Sequence, residues 1–166
     1  MSIRTISTWA GTTITVLTVA MAGGIAAADN ARYSKQKVVY HINYDNPKAQ
    51  TAALRNIQNH INAVGAENLD LKVVMHGHGV SLVLLPEALA KVSDKMKHAN
   101  ATDQMAARID GLKGQQVEFK ICANTLKGRK ISYEDHMYGV DTADIIPSGV
   151  AELSHLQAQG YTYIKP

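Results

Sequence analysis

The chain has 166 residues, with 17 Lys and Arg against 14 Asp and Glu, a formal charge of +3 with its histidines neutral. The basic residues are scattered and Phe119 is the only phenylalanine, which excludes the basic, aromatic-studded surface of a nucleic-acid-binding domain. Forty-six per cent apolar residues over this length suit one near-neutral globular domain with a proper core.

Residues 1–28 read as a secretory signal peptide. Arg4 is the only charged side chain before Asp29, and Ala10 to Ile25 is apolar or small throughout. Ala26, Ala27 and Ala28 then supply the small residues of a cleavage site, with cleavage expected after Ala28. An uncleaved anchor is the competing reading, but five threonines between Thr8 and Thr18 interrupt the roughly 20 strongly apolar residues a span prefers. The expectation is a periplasmic or secreted protein, free of the membrane after processing, with a flexible segment at residues 29–36 and one domain over residues 37–166.

Lys37 to Asn43 is short, β-branched and ended by polar residues, the pattern of a buried strand. Asn46 and Pro47 then open a helix that places Ala53, Ile57, Ile61 and Val64 on one face before Gly65 stops it. Leu69 to Met75 carries Val73, Val74 and Met75 without alternation, which indicates a strand covered on both faces. After a Gly-rich turn comes the apolar run Leu82 to Leu85, longer than one buried strand needs, so part of it is expected at a subunit interface. Pro86 opens a predicted helix with Leu89, Val92 and Met96 inward. A second helix follows with Met105, Ile109 and Leu112, ending at Gly111 to Gly114. Val117 to Cys122 is the next strand, residues 127–142 are the least regular stretch, and Ala143 to Ile146 is a short strand. Ser148 caps a last helix with Val150, Leu153 and Leu156 inward, closed by Gly160, and Tyr161 to Ile164 is the final strand. Strands alternating with helices at this spacing predict an α/β fold, a doubly wound, mostly parallel sheet with helices on both faces.

Open parallel sheets bind ligands outside the carboxyl ends of their strands. Three such ends are polar: Asn43-Tyr44-Asp45, His76-Gly77-His78-Gly79 and Cys122-Ala123-Asn124-Thr125. If these strands are neighbours, Cys122, His76 or His78, and Asn43 converge. The glycine-rich turn fails as a dinucleotide motif because Leu82 stands where the third glycine belongs, and there is no phosphate-binding loop motif. His76 and His78, two apart, are short of a metal ligand set. Neither a cofactor nor a metal is expected.

The single Cys122 cannot form an intramolecular disulfide. In an oxidising compartment a lone thiol is inert and buried, paired between chains, or kept for its reactivity. At a strand's carboxyl end, exposed backbone N–H groups stabilise thiolate, as would nearby Lys127 or Arg129. A thiolate is what sulfur transfer requires, since it attacks a sulfane sulfur and carries it as a persulfide. With no second cysteine to resolve it, single-thiol relay or simple binding is favoured over thioredoxin-like oxidoreduction.

Three segments resemble the DsrE/DsrF-like family: Val73-Val74-Met75-His76-Gly77-His78-Gly79, Val117-Glu118-Phe119-Lys120-Ile121-Cys122-Ala123-Asn124-Thr125, and Ile146-Pro147-Ser148-Gly149-Val150-Ala151-Glu152-Leu153 with the ending Gly160 to Pro166. The resemblance covers nearly all of residues 37–166. It implies a five-stranded α/β sandwich assembled as a homo-oligomer, trimer or hexamer, with Cys122 as sulfur acceptor and a sulfur donor or acceptor protein as partner. This chain departs from the relay members in its export signal and in Asn124-Thr125-Leu126 after the cysteine. Cys122, His76 and Asn124 are the expected chemical residues, with His76 and Asn124 orienting or polarising the thiol, and Asn43, His78, Thr125 and Arg129 the expected substrate contacts. The competing reading is a non-catalytic oligomeric module that binds a small anion or a partner peptide in the same crevice, with Cys122 only packed.

Overall fold

A computed structural model describes residues 32–166; the signal-peptide assignment at residues 1–28 lies outside them. Five strands, β1 (Gln36–Ile42), β2 (Leu69–Met75), β3 (Glu118–Cys122), β4 (Ile145–Ile146) and β5 (Thr162–Ile164), form one sheet in the order β4-β3-β2-β1-β5. All four pairings are parallel, as the unalternating apolar strands require.

Each helix starts and stops for local reasons. In α1 (Pro47–Val64) the Asn46 side chain accepts from Ala49 N–H at 3.0 Å and Pro47 occupies the first turn, while Gly65 ends the helix at φ +90°. Thr102 caps α2 (Asp103–Lys113) and Ser148 caps α5 (Gly149–Ala158) in the same manner. Two short helices lie between: α3 (Ala123–Arg129) and α4 (Tyr133–His136).

Alternation along the strands sends Val38, Tyr40, Ile42, Leu71, Val73, Met75, Phe119 and Ile121 into a large core with α1 and α2. Val39 and Val74 point the other way and pack on Leu153 and Leu156 of α5. Helices thus cover both faces. The register pairs Ile42 with Met75, and Met75 with Ile121. The next row is therefore Asn43, His76 and Cys122, three neighbouring strand ends at one edge.

Three local readings change. The helix expected after Pro86 is a 3₁₀ stretch, Pro86–Lys91, in which only Ala88 is buried. Val92 turns extended at ψ 177°, and the N–H of Ser93 goes to the carbonyl of Arg129 at 3.0 Å, so no further helical turn forms. Val150 is 67% exposed, because the inner stripe of α5 runs Gly149, Leu153, Leu156 and Val150 falls one position off it. Leu82, Val83 and Leu84 are fully buried in this chain's own core. Leu85 is partly buried against the same core, so the length of this run is accounted for within the chain and does not call for a subunit contact.

The segment over the strand ends is a 3₁₀ turn, Gly77–Leu82. A Cβ at Gly79 would fall 1.9 Å from the carbonyl oxygen of Ile42, so only glycine permits this approach to the end of β1. Buried Gln50 anchors the turn: its Nε2 donates to Ser81 Oγ at 2.8 Å and to the Tyr44 carbonyl at 2.9 Å, and its Oε1 accepts from Asn100 Nδ2 at 3.0 Å.

Candidate functional site

Cys122 is the last residue of β3 and the N-cap of α3, with a free thiol and 5% exposure. Burial pushes the thiol pKa up, but the Thr125 hydroxyl and the backbone N–H groups of Gly149, Thr125 and Asn124 bond the sulfur and more than reverse this. The net result is a pKa below the ordinary thiol value. The donors are one hydroxyl and three backbone groups; the backbone N–H groups are those expected at a strand's carboxyl end, while Lys127 and Arg129 are not among the groups that lower the thiol pKa. Thr125 is set for its role, because its Oγ1 accepts from Gly77 N–H at 2.9 Å. Its own hydroxyl hydrogen is therefore free for the sulfur.

His76 occupies the adjacent strand end but turns to another partner. Its Nε2 lies 2.8 Å from Nε2 of His41, the rings stack with centroids 4.7 Å apart, and His41 Nδ1 lies 2.6 Å from the Tyr163 hydroxyl. Burial, then His76 and Lys165, lower the His41 pKa to about 4. Burial, then Lys165, also lower that of His76. His76 reaches the thiol region through Gly149: a Cβ at 149 would stand 2.8 Å from His76 Cβ and 3.0 Å from its Cδ2. The imidazole thus packs against the residue whose N–H supports the sulfur. His41, Tyr163, Gly149 and Lys165 were not singled out from the sequence; strand parity alone would have put His41 on the α5 face beside Val39.

Beside Thr125 lies a shallow cleft of ≈ 230 Å³ lined by Gly77, Lys95, Asn124, Thr125, Gly128 and Arg129. Asn124 serves the thiol through its backbone N–H, while the residue itself is exposed in the cleft wall. His78 is exposed, with Nε2 3.1 Å from the Lys95 carbonyl, while His76 bonds His41, so His76 and His78 do not form a pair. Asn43 is half-buried beneath Gly79 and does not line the cleft. Of the seven expected residues, Cys122, Asn124, Thr125 and Arg129 therefore share one corner, His76 borders it, His78 touches only the backbone of Lys95, and Asn43 lies outside it. A larger groove between α1 and α2 is lined by residues including Leu54, Arg55, Gln58 and Arg108 and lies on elements that carry none of the seven expected residues.

Comparison with solved structures finds proteins of this fold, MTH1491 and ychN among them. A protein of unknown function, MTH1491 from Methanobacterium thermoautotrophicum, superposes with a TM-score of 0.60 and 25% identity over 79% of this chain and 99% of its own. The ychN protein from E. coli gives a TM-score of 0.56 and 20% identity over the same shares, and shows the fold alone. Comparison with curated proteins gives no match. The sequence profile of the DsrE/DsrF-like family matches residues 37–166, the full extent of the domain that carries the Cys122 corner, and the chain belongs to that family.

Proposed function

We propose that this DsrE-like protein is an exported homo-oligomer that binds or relays sulfane sulfur through Cys122. The observation that carries this reading is that Cys122, at the strand end that starts α3, has its thiol pKa held below the ordinary value by four donors, the Thr125 hydroxyl and the N–H groups of Asn124, Thr125 and Gly149. Such donors favour the anionic form that nucleophilic sulfur chemistry needs. The thiolate attacks the terminal sulfur of a donor R–S–S⁻; a new S–S bond forms on Cys122 as the donor's S–S bond breaks, and the donor leaves as RS⁻. Export rests on the signal-like segment before Asp29, and assembly on the family resemblance.

Incubation with polysulfide followed by mass spectrometry tests the relay. An adduct of one sulfur atom on Cys122, reversed by a reductant, is the expected result. The 5% exposure of Cys122 favours a second reading, a packed structural thiol in a binding module. Slow alkylation of the native protein at every pH, with no sulfur adduct, would establish that reading instead.

A further inference from the structure

We propose that the cleft beside Cys122 is an anion site in which Arg129 and Lys95 hold a compact oxyanion, so that the molecule presented to the thiol arrives with a negative charge. The proposal rests on the sulfur-carrier reading for its link to Cys122, and on the cleft itself for the anion.

Arg129 carries the first observation. Its Nη1 is buried and has no hydrogen-bond partner among the described residues. Leaving such a donor unpaired costs free energy, more for a charged group than a neutral one. Guanidinium presents a rigid fork suited to oxyanions. The second observation is that Lys95 lines the same cleft and that, among the described residues, no carboxylate does. Two cations in a concavity without counter-charge raise the local concentration of small anions.

The two cations are held together by the fold. The N–H of Ser93 donates to the Arg129 carbonyl at 3.0 Å, fastening the segment that carries Lys95 to the end of α3. On its other side, Nε2 of His78 meets the Lys95 carbonyl at 3.1 Å. His78 is therefore a positioning residue for the cleft. Thr125 joins the cleft to the thiol, since it lines the cavity and its hydroxyl also serves Cys122.

Two alkylating agents of nearly equal size, iodoacetate and iodoacetamide, test this on the protein as isolated from the expressing cell. Both consume the same thiolate, so the ratio of their rates cancels any change in the thiol's own ionisation and reports only the field met by the anion. Relative to urea-unfolded protein, the native ratio of iodoacetate to iodoacetamide should rise roughly threefold or more and fall with added salt. Arg129→Gln and the exposed Lys95→Gln should each lower it, while Arg129→Lys keeps most of it. A native ratio equal to the unfolded one, or one unmoved by both neutralising variants, overturns the proposal. Titration with sodium sulfate, followed by amide NMR, gives an arm that does not need the thiol. Saturable shifts at Gly77, Thr125 and Gly128 that vanish in Lys95→Gln and Arg129→Gln support the site, and their absence in the wild type overturns it. If neither reagent alkylates Cys122 while sulfate still binds, the anion site stands and the sulfur-carrier reading falls.

Discussion

Nε2 of His41 and Nε2 of His76 lie 2.8 Å apart, so one ring must carry the hydrogen and the other the lone pair. Protonating both would set two cations against each other in a buried corner. Stability should therefore depend on pH through this pair. His41 titrates at about 4 when folded against an ordinary value near 6.5. The unfolded chain binds the proton first, so the contribution is fully present above about pH 6.5 and is lost as pH falls toward 4. Urea unfolding at intervals from pH 7.5 to pH 4 should show this slope, flattened in His41→Gln. Equal slopes in the two proteins would refute it.

Thr125→Val should weaken the thiolate at Cys122. The variant keeps the shape and removes the hydroxyl that bonds the sulfur, and a hydrogen bond to a charged group contributes about 1.5–3 kcal/mol. The pH midpoint of iodoacetamide labelling should lie below that of the unfolded protein in the wild type and move back toward it in the variant. Labelling at neutral pH falls by up to roughly tenfold. No movement of the midpoint would show that the backbone N–H groups suffice.

Gly149→Ala should be costly although the residue sits in an ordinary helical position. The new methyl group would meet His76 Cβ at 2.8 Å, closer than side-chain carbons approach, and overpacking of this kind costs about 1–3 kcal/mol. Because His76 is the obstacle, His76→Ala should relieve part of the loss in the double variant. Additive losses in denaturant unfolding would contradict the contact.

Gln50→Leu should destabilise the fold without touching Cys122. Gln50 is 0% exposed and serves Ser81, Asn100 and the Tyr44 carbonyl at once, so its loss strands several buried polar groups at about 1–3 kcal/mol each. The denaturation midpoint falls. The labelling ratio of the two alkylating agents, by contrast, should stay at its wild-type value once the variant is folded; a changed ratio would mean that the 3₁₀ turn over the strand ends also shapes the cleft.

Much of this was legible in the chain. Unalternating runs such as Val73-Val74-Met75 announced a parallel sheet, Asn46-Pro47 and Ser148 announced helix starts, and the polar ends after Ile42, Met75 and Ile121 marked the edge where Asn43, His76 and Cys122 line up, because these signals are local and period-bound. The Pro86 segment misled, since an apolar spacing compatible with a helix says nothing of whether a distant carbonyl, here that of Arg129, will take the next N–H. Val150 misled because one residue of offset in a helix is 100° of rotation.

The sequence by itself determined the family, the sheet and the placing of Cys122 beside backbone donors, since residue type, period and motif order act over short distances along the chain. Only the tertiary structure decided the partners of each side chain. His41 and Tyr163, 122 residues apart, meet because β5 returns beside β1, and Lys95 and Arg129 line one cleft because the Ser93 N–H bonds the Arg129 carbonyl. Contacts across strands and loops are set by register and chain return, which no local pattern encodes.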